Sequence, residues 1–172
     1  MMIFVSGGSG SGKSSFAESL IVRHGSSHRA YIATMLPFGQ EGAARIARHR
    51  ALREGKGFTT YECPRALASL QLPHCCSALL EDLTNLFANE WFDGDPAGAF
   101  ERVMSGIDIL SNSVSYLVIV GNDIFSDGMD YDEETLRYLQ ALSKLNCTMT
   151  ARADAVYEVV CGIPICHKGE TL

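Results

Sequence analysis

No apolar run in this 172-residue sequence approaches the roughly 18 residues that would suggest a membrane-spanning helix, so a soluble protein is expected. Positive charge is also in short supply. Fourteen Lys and Arg stand against 20 Asp and Glu, a net charge of −6, which lacks the basic footprint of a general nucleic-acid binder. A nucleotide substrate stays compatible, because its site needs only local positive charge. The start carries no basic segment followed by a cleavable apolar stretch, so no export signal is expected and the cytoplasm is the expected location. Linker-like stretches, internal repeats and C-x-x-C pairs are missing as well. One domain over residues 1–172 is therefore expected, with 47% hydrophobic residues enough for one sizeable core. The six cysteines, Cys63, Cys75, Cys76, Cys147, Cys161 and Cys166, show no metal or disulfide spacing. Since Cys161 and Cys166 lie in or beside apolar runs, they read as buried reduced thiols.

What is present is concentrated at the start. The strand-like run Met1 to Val5 stops at glycines, and Gly7-Gly8-Ser9-Gly10-Ser11-Gly12-Lys13-Ser14 satisfies G-x-x-x-x-G-K-[ST], the Walker A phosphate loop. Glycines let the backbone turn through positive φ and aim successive N–H groups at phosphate oxygens. Lys13 is placed to reach the β- and γ-phosphates, and Ser14 to hold Mg2+ with its hydroxyl. The N-terminus of the helix that follows, with apolar Phe16, Leu20 and Ile21, favours the phosphate charge. A flexible glycine-serine turn is the alternative; the strand before and the helix after argue against it.

Strand signals then alternate with helical ones, the pattern of parallel βαβ units. Strands are predicted at 2–5, 30–34, 78–80, 116–121 and 156–161, mostly as continuous apolar runs expected of strands covered on both faces. Helices are predicted at 15–23, 40–53, 84–91, 97–111 and 133–145. Asp95-Pro96 and Asp132-Glu133-Glu134 read as helix starts. Ligands collect at the carboxyl ends of parallel strands, which directs attention, besides the phosphate loop, to Thr34-Met35-Leu36, Glu81-Asp82-Leu83-Thr84-Asn85, Asn122-Asp123 and Gly162-Ile163-Pro164. Glu81 stands where a Walker B carboxylate would approach the magnesium shell.

The one dense cluster of positive charge lies in the predicted helix 40–53, where Arg45, His49 and Arg53 are four apart and share a face. In one reading this face is merely solvated and His49 has no duty. In the other, the arginines bind phosphates and a neutral His49 attacks the α-phosphorus of a nucleotide. The pattern alone leaves both open. Trp91-Phe92 reads as core or interface packing, His74 beside Cys75-Cys76 makes a poor metal site, and His24, His28 and His167 form no pattern.

The ordered series GGSGSGKS at 7–14, YIAT at 31–34, R-I-x-x-H at 45–49, Thr60-x-Glu62, LLE-x-x-T at 79–84 with Asn89, V-x-V-x-N at 118–122, Asn146 and Ala153-Asp154 resembles the adenosylcobinamide kinase/adenosylcobinamide-phosphate guanylyltransferases of cobalamin biosynthesis. The resemblance covers essentially the whole chain. It implies an α/β P-loop NTPase fold with a RecA-like, mostly parallel sheet, working as a homo-oligomer, a trimer. It also implies phosphorylation of adenosylcobinamide with ATP or GTP, followed by GMP transfer from GTP through a guanylylated histidine, which falls on His49. The nucleotide contacts it implies are Gly7–Ser14, Thr34, Met35, Leu36, Arg50, Ala51, Leu52, Arg53, Glu62 and Glu81, with Ser14 and Glu81 toward Mg2+ and Lys13 and His49 catalytic. Departures from the family pattern lie mainly between 122 and 143, at Asp123 to Gly128, Leu139-Gln140 and Ser143. Two other functions are compatible with the loop: a P-loop kinase for another small alcohol, and a non-catalytic GTP-binding protein.

Overall fold

The computed structural model describes residues 1–37, 47, 51, 53–73, 76–125 and 128–170. Among the described residues seven strands are formed: β1 (Met2–Ser6), β2 (Arg29–Ala33), β3 (Phe58–Glu62), β4 (Ser77–Glu81), β5 (Tyr116–Val120), β6 (Ala155–Val160) and β7 (Ile163–Lys168). They make one sheet in the order β3-β2-β4-β5-β1-β6-β7. The first six are parallel, and β7 returns antiparallel beside β6. Among the described residues the long helices are α1 (Lys13–His24), α2 (Leu83–Phe92), α3 (Pro96–Ser113) and α4 (Glu133–Arg152). None of them is long and apolar enough to cross a membrane.

The continuous apolar strands follow from cover on both faces. Along β1, Met2 and Phe4 turn to the face packed by α2, α3 and α4, where they join Leu83, Phe87, Ile107 and Leu142. Ile3 and Val5 turn to the opposite face and meet Ala17, Leu20 and Ile21 of α1. Helix starts agree with the chemistry of their first residues. Asp95 accepts from the Ala97 N–H ahead of Pro96 in the first turn, and Asp132 accepts from the Thr135 N–H at 2.7 Å.

The structure departs from sequence expectation in four places. Strands β3 and β7 were not expected; both are largely exposed sheet edges, β3 carries two threonines at its centre, and Pro164 interrupts the short apolar start of β7. Helix α4 continues past 145 to Arg152, because Leu142, Leu145 and Met149 keep one buried stripe while the outer face turns polar. Cys161 is exposed, not buried: it sits in the β6–β7 turn at φ 50, and Cys166 is half-buried on the edge strand. Both remain free thiols, as does exposed Cys147, while Cys63 and Cys76 are buried. The expected helix 40–53 falls mostly outside the described residues; Ala47, Ala51 and Arg53 are helical.

Candidate active site

Strand β1 ends at Ser6 on the carboxyl edge of the sheet and α1 begins at Lys13, so Gly7–Gly12 form the loop between them. Gly10 and Gly12 have φ of 71° and 93°, conformations that suit glycine. A β-carbon on Gly7 would stand 2.6 Å from the Val159 carbonyl oxygen, and one on Gly12 would stand 3.2 Å from the Cα of Gly162. The β6–β7 turn thus packs directly on the loop, and the Gly162 N–H donates to the Ser11 carbonyl at 2.8 Å. From the other side, the Asp123 N–H donates to the Gly7 carbonyl at 3.1 Å. The loop is fixed by backbone contacts on both flanks.

Its electrostatics favour an anion. Helices α2, α3 and α4 each carry an aspartate at the cap position, but α1 has Gly12 there, with no side-chain cap and no acid in its first turn. Its first N–H groups and positive dipole end therefore face the loop without an internal counter-charge. Lys13, nearly buried, folds back over the loop with Nζ donating to the Gly8 carbonyl at 3.0 Å.

Ser14, one residue further, donates its hydroxyl to Oε1 of Glu81 at 2.6 Å. The other oxygen of Glu81, Oε2, is out of solvent and has no hydrogen-bond partner. Burial first, and then Asp82, pushes this carboxyl up to about 8, against the pull of the Ser14 hydrogen bond and Lys13. An unpaired buried carboxylate oxygen beside a serine hydroxyl is a donor set suited to a small hard cation, whose charge would return Glu81 to its ionised form.

Behind this pair the floor is a polar network. Asp82 caps α2 by accepting from the Asn85 N–H at 2.6 Å, and its Oδ2 accepts from the side-chain amides of Asn85 and Asn122. The Thr34 hydroxyl is fully buried, donating to the Asp82 carbonyl and accepting from the Asp82 N–H, both at 2.8 Å. Asn89 donates to the Thr34 and Pro64 carbonyls. Thr34 therefore spends its side chain holding β2 to the β4–α2 junction, while Met35 and Leu36 lie half-buried beyond it. Ala33 pairs with Glu81 on one side and Glu62 on the other, so the two glutamates end the strands that flank β2, at the carboxyl end of the sheet.

Arg53 lies deeper than its place in a cationic helix implies. It is buried, with its guanidinium 3.4 Å over the Tyr31 ring and donating to the Thr60 hydroxyl at 3.5 Å. Burial, and then the Glu81 charge, pushes the Tyr31 phenol above its ordinary range, with Arg53 opposing; the three groups sense one another. Ala51 is exposed, and with Arg53, Gly55, Phe58 and Thr60 it borders an open cleft of about 620 Å³. His49, Arg50 and Leu52 lie outside the described residues, as do Arg45, His74 and Cys75. Asp82 and Gly162 were expected at strand ends near the site but without their roles as hub and brace, and an ion pair of 2.5 Å between Lys56 and Glu18, buried on α1, was not expected at all. An acid directly after an apolar strand and a glycine at the last turn were the available signals. Among the described residues, no group of three or more His, Cys, Asp or Glu is gathered as a metal site.

A phosphate loop on the third strand from one edge, with an acidic residue ending the strand two places away across the sheet, defines a RecA-like P-loop NTPase fold. The flagellar accessory protein FlaH of Methanocaldococcus jannaschii has the same kind of fold, with a TM-score of 0.50 at 10% identity over 98% of this chain and 78% of that one. Residues 3–166 match the model of the cobinamide kinase / cobinamide phosphate guanyltransferase family, and the chain belongs to that family of transferases. It is 32% identical to the bifunctional adenosylcobalamin biosynthesis protein CobU of Salmonella typhimurium, over 96% of this chain and 98% of that protein. It is 29% identical to the bifunctional adenosylcobalamin biosynthesis protein CobP of Pseudomonas aeruginosa, over the full length of both.

Proposed function

We propose that this protein phosphorylates adenosylcobinamide with ATP or GTP and then transfers GMP from GTP, through a guanylylated His49, to the adenosylcobinamide phosphate. The observation that carries the reading is the juxtaposition of a braced phosphate loop, Lys13 over it, and Ser14 bonded to a Glu81 that keeps one buried oxygen unpaired. In the first step the acceptor hydroxyl oxygen attacks the γ-phosphorus, the bond to the bridging oxygen breaks, the nucleoside diphosphate leaves and the hydroxyl proton passes to solvent water. The backbone N–H groups of Gly7–Gly12 and Lys13 hold the phosphates in line for that displacement. Ser14 and Glu81 would hold Mg2+, which neutralises charge on the phosphate oxygens when bound.

In the second step a ring nitrogen of His49 forms a bond to the α-phosphorus of GTP and pyrophosphate leaves. A phosphate oxygen of the corrinoid then attacks that phosphorus, forming a diphosphate bond and releasing the imidazole. Arg50 and Leu52, with Ala51 and Arg53, are assigned to the nucleotide on this reading, as are Met35, Leu36 and Glu62. The reading treats residues 1–172 as one catalytic unit within a homo-oligomer, a trimer. Incubation with α-labelled GTP and Mg2+ should give an acid-labile, base-stable label on the protein that His49→Ala lacks. Unlabelled wild type under conditions where GTP binds would refute the histidine step.

A further inference from the structure

On the face of β1 opposite α1, a cleft of about 470 Å³ opens between α4 and the carboxyl ends of β1, β5 and β6. Phe4 and Gly7 reach its floor, so the cleft shares a residue with the phosphate loop. The Asp123 N–H bonded to the Gly7 carbonyl ties its wall to that loop. Its charge has the opposite character to the nucleotide site. Asp123 and Glu158 line it, and no Lys or Arg does among the described residues. Behind that lining, His167 Nε2 lies 2.9 Å from Glu158 Oε2 and the Lys168 ammonium donates to the Thr150 and Ala151 carbonyls, while the Asp123 carboxylate is left to face the cleft without an ion-pair partner among the described residues.

Its polar surface is made of amides and hydroxyls instead. Asn146 is the informative one: its Oδ1 is buried and reaches no hydrogen-bond donor within the protein. Gly121 makes room for the Phe4 ring beside it, since a β-carbon there would stand 2.8 Å from that ring, while at 3.6 Å from Asn146 Oδ1 it would make only an ordinary contact. An unpaired buried acceptor at the base of an acidic, aromatic-floored cleft fits a ligand that brings N–H groups and no negative charge.

We propose that this cleft holds one amide-bearing edge of the corrinoid acceptor, with Asn146 accepting from a primary amide N–H of that edge. The proposal rests on the function proposed above and gives it an acceptor site. A corrin periphery carries neutral primary amides and its cobalt centre carries positive charge, which complements these walls. The volume admits one edge and leaves the rest of the macrocycle outside, beside the loop that holds the nucleotide.

Cys147, an exposed free thiol on the cleft wall, provides a probe in the unmodified protein. Adenosylcobinamide should slow iodoacetamide alkylation of Cys147, read by peptide mass spectrometry, while exposed Cys161 reacts unchanged; GTP alone should not protect Cys147. Asn146→Leu, and Ser143→Phe at an exposed position on the rim, should each weaken adenosylcobinamide binding about tenfold, the order of one buried hydrogen bond or a blocked entrance. GTP affinity should change by less than about twofold, since neither residue faces the phosphate loop. If Cys147 stays unprotected and both variants bind the corrinoid normally while wild type turns it over, the cleft assignment is wrong and the proposed function stands. Protection by GTP in place of the corrinoid would equally overturn it. Wild type that neither binds nor transfers to adenosylcobinamide would overturn both.

Discussion

Glu81→Gln separates the charge of this residue from its shape. Glutamine keeps an oxygen to accept from the Ser14 hydroxyl and fills the same volume, yet it is neutral at every pH. In the folded wild type, burial and Asp82 raise the Glu81 carboxyl from 4.5 to about 8. The folded chain therefore holds a proton across that interval that the unfolded chain has released. Stability from this group is fully present below about 4.5, falls as pH rises through the interval, and levels off above about 8. At about 1.4 kcal/mol per pH unit, the gap sets a ceiling of about 5 kcal/mol. An effective dielectric nearer 20 than 4 inside the site brings the expected value to about 2 kcal/mol. Urea unfolding of both proteins without nucleotide, from pH 5 to pH 9, measures it. The glutamine variant should gain on wild type steadily, from a small difference at pH 5 to about 2 kcal/mol at pH 9. The same variant should lose the extra stabilisation that Mg2+ adds to bound GTP in wild type. A difference that stays flat across pH would show that Glu81 carries no unsatisfied charge, and the cation-site argument would fall with it.

Gly12→Ala forces a side chain into φ 93° and sets its β-carbon 3.2 Å from Gly162, so it should cost about 1–3 kcal/mol in urea unfolding and weaken GTP binding about tenfold in equilibrium dialysis. Arg53→Met keeps most of the apolar stem but removes the cation over Tyr31; about 0.5–2 kcal/mol of stability should be lost, measured by urea unfolding. Retention of wild-type stability in Arg53→Met would place that guanidinium elsewhere in solution.

The parts of the fold that were readable in the sequence are those whose physics is local. Strands β1, β4 and β5 are buried on both faces, so their residues must be apolar without interruption, and a continuous run is visible to any window. Strand β3, by contrast, exposes Thr59 and Thr60, and β7 exposes most of Ile163 to Lys168; what makes them strands is pairing with β2 and β6, a long-range fact. Helix α4 was cut short in the sequence for a related reason. Asn146, Cys147 and Thr150 interrupt the apolar pattern because they face a cleft, and only Met149 continues the buried stripe.

The site divides along the same line. Gly7–Ser14 declare themselves because loop geometry and phosphate chemistry restrict every position within eight residues. Asp82 does not, since its neighbours Thr34, Asn85 and Asn122 come from three elements and nothing in their spacing announces a hub. Nor does the dependence of the phosphate loop on the far end of the chain. The Gly162 N–H on the Ser11 carbonyl and the Val159 carbonyl against Gly7 mean that the loop shape is set jointly by β1 and by the β6–β7 turn, some 150 residues later. That coupling has a consequence for catalysis. The γ-phosphoryl group must sit in line with its acceptor to a fraction of an ångström, and a glycine-rich loop alone is too free to hold it. The turn at Cys161-Gly162 removes that freedom from one side, and the Asp123–Gly7 bond removes it from the side of the proposed acceptor cleft. An acceptor pressing on the Asn122-Asp123 segment would therefore act on the backbone that positions the nucleotide.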